Sequence, residues 1–134
     1  MTSQTLTETG TWVPACPQHL LPVERGVAVL LPNGAQAALF RAYDGQLYAV
    51  DNIDPSSGAA VMSRGLVGDR EGEPTVASPV YKQVFSLRTG HCLNDERYRL
   101  ATLPVREREG VLEVLAVTTA VPSGGVPPTG EASP

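Results

Sequence analysis

Long hydrophobic runs, a surplus of basic residues and cysteines are all scarce in this sequence of 134 residues. Its apolar runs, such as Gly26 to Leu31, fall far short of the roughly 20 residues that a membrane-spanning helix needs. The opening stretch MTSQTLTETGTWVPAC has neither the basic start nor the apolar core of a secretion signal. Lys and Arg number 10 against 14 Asp and Glu, for a formal net charge of -4, and no basic run stands out, so a phosphate backbone finds no cationic surface. These absences lead to the expectation of a cytoplasmic protein with no nucleic acid and no membrane among its partners. The two cysteines, Cys16 and Cys92, are too few for a disulfide framework, and a reducing compartment keeps them as thiols.

What the chain does contain is a series of short apolar runs punctuated by turn residues. A chain of this length predicts one domain, able to bury roughly two-thirds of the surface its unfolded form exposes. Hydrophobic residues at 42% and charged residues at 18% fit an ordinary globular protein. The spacing predicts a mostly β structure. Strands are expected over Thr11–Cys16, Gly26–Leu31, Ala37–Tyr43 and Leu47–Val50. Pro32-Asn33-Gly34 joins the second to the third, and a type I′ turn at Asp44-Gly45 joins the third to the fourth. Further along, Val84–Arg88 runs into Thr89-Gly90, and Leu103–Arg108 is expected to pair with Val111–Val117 across Glu109-Gly110. Strands at this spacing point to an all-β fold, a small β-sandwich or barrel.

Three segments break the rhythm. Residues 1–10 read as a flexible N-terminus. Asp51–Thr75 is long, polar and glycine-rich, which predicts a loop that is either functional or disordered, with one helical turn over Ala59–Arg64. The stretch from Ala120 holds four prolines and three glycines in fifteen residues, too little apolar surface to offset the entropy of ordering, and residues 120–134 are expected to be a flexible tail. The folded domain is therefore expected over residues 11–119, and removal of everything after Val121 should leave its thermal midpoint nearly unchanged.

Chemistry-bearing residues form no recognisable set. Cys16-Pro-Gln-His19 has a chelating spacing, but His91 and Cys92 are adjacent, which is poor for convergence on one metal. Asp44, Asp69 and Glu71 lie beside glycines and read as turn residues. No Ser/His/Asp or Cys/His nucleophile arrangement stands out, so no catalytic, cofactor-binding or metal-binding residue is expected.

Residues 46–92 nevertheless carry a pattern: QLYAVDN, a Pro-x-x-Gly turn, a second proline-containing loop, FSLRTG and then HCL. This pattern resembles a Rieske domain, in which one loop carries Cys-Pro-His-x-Gly and a second carries Cys-Pro-x-His-Gly. The resemblance implies a Rieske-like fold with two long loops at one tip. It also puts Asp54 and Ser56 at the first cysteine and histidine positions, and Ser78 and Tyr81 at the second pair. A [2Fe–2S] centre of this kind needs two thiolates and two neutral imidazoles, which serine, tyrosine and one carboxylate do not replace. The Asp54 carboxylate is expected to accept a hydrogen bond from the Ser56 amide in an Asx-turn instead.

The wider combination of NIDPSS, SRGLVGD and GEPTVASPVYKQVFSLRTGHCL resembles the small subunit of assimilatory NAD(P)H-dependent nitrite reductase, a Rieske-like family that lacks the cluster ligands. That resemblance implies a small, non-catalytic subunit in nitrate assimilation. Its partner would be a large subunit carrying FAD, a [4Fe–4S] cluster and sirohaem, which reduces nitrite to ammonium. Two other readings stay open: a cluster-free interaction or assembly module of another oxidoreductase, and an electron carrier or enzyme in its own right. If the loops persist as a docking tip, Arg64, Arg70, Tyr81 and Lys82 are the expected partner-facing residues.

Overall fold

The computed structural model describes residues 10–80 and 82–117. The expected flexible segments at 1–10 and 120–134 therefore lie outside it, apart from Gly10. Ten strands follow one another: β1 (Gly10–Pro17), β2 (Arg25–Leu30), β3 (Gln36–Arg41), β4 (Leu47–Asp51), β5 (Leu66–Arg70), β6 (Glu73–Ala77), β7 (Val84–Ser86), β8 (Thr102–Leu103), β9 (Val105–Arg108) and β10 (Val111–Val117). Short 3-10 turns occupy Gln18–Leu20 and Met62–Arg64. All pairings are antiparallel, in three sheets with orders β1-β10-β9, β2-β3-β4-β8 and β5-β6-β7.

The middle sheet explains the rest. Its strand β3 reads QAALFR and is buried along Ala37–Phe40, because successive side chains point to opposite faces and both faces are covered. Ala37 and Leu39 join Leu112, Val114 and Ala116 of β10 in one core. Ala38 and Phe40 join Met62, Val67, Val76, Phe85, Leu87 and Leu100 in a second. The first core makes a sandwich of two sheets, and the second seats the β5-β6-β7 sheet on the opposite face. β1 tolerates Pro14 and Pro17 because it lies at a sheet edge, where a missing N–H leaves no ladder bond unmade, and its register shifts between Pro14 and Cys16.

The structure corrects the sequence reading in three places. Asp51–Thr75 is not one loop: it contains β5 and the first three residues of β6, joined as a hairpin with Arg70 opposite Glu73. Gly68, Gly72 and Pro74 disguise it locally, and its stability comes from β7 pairing on the other side of β6 and from Val67 and Val76 entering the second core. The type I′ turn is not at Asp44-Gly45, where only Gly45 has positive φ, at +88°. There Gly45 donates to the Ala42 carbonyl and Ala42 to the Gln46 carbonyl, while the Asp44 carboxylate accepts from the Gln46 amide and holds a wider turn. Positive φ at both central residues occurs instead at Glu71-Gly72 (54° and 91°) and Glu109-Gly110 (54° and 83°), the two hairpins with two-residue connections. Leu103–Arg108 divides at Pro104, so that β8 joins the middle sheet and β9 the outer one.

Candidate functional site

Two loops leave the same end of the structure and are tied to each other. The first begins where β4 ends: Ile53 bridges Ala60, the Asp54 amide donates to the Ala59 carbonyl at 2.8 Å, and Gly58 donates to the Asp54 carbonyl at 2.7 Å. The second closes on itself, with the Ser78 amide donating to the Gln83 carbonyl at 2.8 Å and Lys82 to the Ser78 carbonyl at 3.1 Å. Lys82 holds a φ of +62° to complete that closure.

At the junction sits the Asp54 carboxylate, with no solvent exposure. Its Oδ1 accepts from the Ser56 amide at 2.9 Å and the Ser56 hydroxyl at 2.8 Å, and its Oδ2 accepts from the buried Ser78 hydroxyl. The Ser78 oxygen in turn accepts from the Val80 amide at 3.2 Å. Burial alone pushes the Asp54 carboxyl up, but the hydrogen bonds from Ser78 and Ser56 outweigh it and hold the group below its ordinary range. Asp51, three residues earlier on the wall of a cleft of about 540 Å³, shows the opposite balance. Burial pushes its carboxyl up, and the amides of Ile53 and Asn52 only partly counter this.

Asn52 is a residue whose role the sequence did not disclose. Fully buried, its side chain donates to Gln36 Oε1 at 2.9 Å and accepts from the Ser63 amide at 2.7 Å, while its backbone carbonyl accepts from Met62. It fixes the exit from β4 against both β3 and the Met62–Arg64 turn. The available signal was a polar side chain at the end of a strand that is otherwise apolar, QLYAVDN. Ser86, within FSLRTG, has a similar part: its hydroxyl donates to Glu73 and accepts from the amides of Arg88 and Thr89, which makes that motif a turn support.

The expected partner-facing residues divide. Arg64 and Lys82 are exposed at the loop end, Arg64 because its turn leads through Gly65 into Leu66, which pairs with Ala77 beside Ser78. Arg70 does not join them. The β5–β6 register carries it four residues along the hairpin, about 13 Å from Leu66, to the opposite end. Tyr81 lies outside the described residues. Three apolar side chains, Ile53, Leu66 and Val80, are exposed at this end and were missed, because apolar type in a sequence reads as core.

The cysteines and histidines go elsewhere. Cys16 packs against the first core and Cys92 lies in the second, while His19 and His91 face solvent. Among the described residues no three His, Cys, Asp or Glu side chains converge on a metal-sized site. Residues 54–59 and 78–83 contain no Cys or His, and the Asp54–Ser78 contact fills the junction between the loops. The residues present do not fit a [2Fe–2S] cluster, which requires thiolate and imidazole donors.

The family model of the Rieske-like [2Fe-2S] domain matches residues 11–115. The nitrite reductase (NADH) small subunit of Escherichia coli K12 is 38% identical over 104 residues, covering 77% of this chain and 95% of that protein. A crystal structure of a candidate NADH-dependent nitrite reductase small subunit from Mycobacterium tuberculosis superimposes with a TM-score of 0.78 at 50% identity, over 82% of this chain and 98% of that one. In Klebsiella oxytoca the similarity is to the nitrite reductase [NAD(P)H] large subunit itself, 41% identical over 99 residues that make up 74% of this chain and 10% of that protein. With its sheets, its paired loops and these likenesses together, the chain belongs to the Rieske-like domain family, among the small subunits of NAD(P)H nitrite reductase.

Proposed function

We propose that the chain works as the small, non-catalytic subunit of an NAD(P)H-dependent nitrite reductase of the cytoplasm, serving nitrate assimilation beside a large subunit. The observation that carries this reading is similarity across nearly the whole length of the E. coli small subunit. The Klebsiella large subunit, which holds a like segment within its own chain, adds a physical reason for association. Where one organism joins two parts covalently, separate chains elsewhere have the same cause to bind each other. The non-catalytic part of the proposal rests on side-chain chemistry: the loop that would hold a redox centre holds a carboxylate satisfied by hydroxyls and an amide, neither electron carrier nor poised nucleophile. Electron transfer and nitrite chemistry then fall to the large subunit, with FAD, [4Fe–4S] and sirohaem as its implied cofactors.

Co-expression with the large subunit and purification through a tag on this chain tests the reading. The expected result is a complex with flavin and haem absorption that oxidises NAD(P)H in the presence of nitrite. Recovery of the chain alone, or with an unrelated oxidoreductase, would overturn it.

A further inference from the structure

We infer that the loop end is a preformed docking surface, with an apolar centre of Ile53, Leu66 and Val80 and a cationic rim of Arg64 and Lys82, and that its occupant is an apolar cleft of the large subunit bordered by carboxylates. This rests on the reading above and adds the place and chemistry of contact. Leu66 is 78% exposed, Val80 41% and Ile53 37%, although they come from three separate segments. Those segments are held side by side: Ile53 precedes Asp54, Asp54 is bonded to Ser78 two residues before Val80, and Leu66 pairs with Ala77. Leu20, Val23, Leu30 and Tyr43 are exposed outside this end, but Ile53, Leu66 and Val80 come from three segments that the loop ties hold together while two cores stand filled behind them, which marks this end as an interaction surface.

The charge is uneven as well. On a chain of net charge -4, the segments 53–66 and 77–84 carry Arg64 and Lys82 against a single acid, and that acid, Asp54, is buried and hydrogen-bonded. Acids return at this same end only beyond β7, where the Asn94 side chain accepts from the Val84 amide, Asp95 is held by Arg97 at 2.7 Å and Glu96 follows, so the cationic part of the rim is the part toward β5. An apolar patch rimmed by cations selects an apolar surface rimmed by carboxylates, with the charges steering encounter and the apolar centre slowing release.

The support beneath is tied by buried hydrogen bonds. Asp54, Asn52 and Ser78 are buried and hydrogen-bonded, so the patch is shaped before the partner arrives and little ordering entropy opposes binding.

The test uses the full chain and the co-expressed large subunit, with affinity measured by titration calorimetry at two salt concentrations. Leu66→Glu, the pair Arg64→Glu with Lys82→Glu, and Arg70→Glu at the opposite end of the hairpin are compared with the parent. All these side chains are exposed, so circular dichroism and thermal midpoints should match. The expected result is at least about tenfold weaker binding for the first two variants, parent-like binding for Arg70→Glu, and weaker parent binding at high salt. If the parent binds while every variant binds equally well, the surface proposal falls and the subunit reading stands. If the parent does not bind, both fall. If the free chain is a dimer that Leu66→Glu splits without loss of large-subunit affinity, the occupant is a second copy, and the proposal is wrong.

Discussion

Substituting Asp54 tests whether the two loops are held by the carboxylate at their junction. Asp54→Ala removes three hydrogen bonds from an ionised acceptor with no solvent exposure and leaves the Ser78 hydroxyl buried beside a void. A hydrogen bond to a charged group contributes about 1.5–3 kcal/mol, and the three are not additive because they share one carboxylate, so the expected loss is about 3–5 kcal/mol. At about 4 °C or more per kcal/mol for a domain of this size, the thermal midpoint should fall by at least about 12 °C. Asp54→Asn keeps the shape and one acceptor oxygen, and should cost about 1–2 kcal/mol. The pH dependence gives a second readout. Because the folded-state pKa of Asp54 lies below the unfolded value, the unfolded chain takes up the proton first; the stabilisation is complete above about pH 4 and is lost as pH falls through the folded pKa. Urea unfolding between pH 2 and 7 should therefore show a shallower acid limb in Asp54→Asn than in the parent. Hydrogen exchange should show the Ser56 and Val80 amides exchanging faster in Asp54→Ala. An Asp54→Ala protein within about 1 kcal/mol of the parent, with those amides still protected, would refute the idea that this carboxylate holds the loops.

Asp51→Asn should act in the opposite sense: burial raises the Asp51 carboxyl, so its charged form opposes folding at pH 7, and the variant should unfold at higher urea there but lose the advantage below about pH 4. Gly90→Ala should cost more than about 3 kcal/mol or abolish folding, since an added Cβ would lie 1.9 Å from the Leu100 carbonyl oxygen at a φ of +84°. Gly45→Ala, with φ of +88° but nothing within 4 Å, should cost only about 1 kcal/mol, and urea titration of the two separates steric from conformational cost. The purified chain should be colourless, and incubation with iron and sulfide under anaerobic conditions should produce no visible absorption band; stoichiometric iron with such a band would refute the mismatch between these loops and a cluster.

The sequence alone determined most of the strands, because their signals are local. The alternation over Val84–Arg88, the apolar runs of β3 and Val111–Val117, and Gly34, Gly45 and Gly110 at positive φ all express preferences that a residue and its near neighbours set. The motif quality of NIDPSS and SPVYKQ was legible for the same reason, as was the expected bond from the Ser56 amide to Asp54, which spans two residues and which the structure contains. The tertiary structure decided what depends on distant partners. β5 and β6 look like loop until β7 pairs beside β6 and Val67 and Val76 enter a core with Phe40 and Leu100. Pro104 gives no hint that the strand it interrupts feeds two different sheets. Residue type made Arg64 and Arg70 equivalent, yet hairpin register set them at opposite ends. The Asp54–Ser78 bond joins residues 24 apart in sequence. Neither residue announces the other, because the burial that makes their contact strong exists only after the two loops have been brought together.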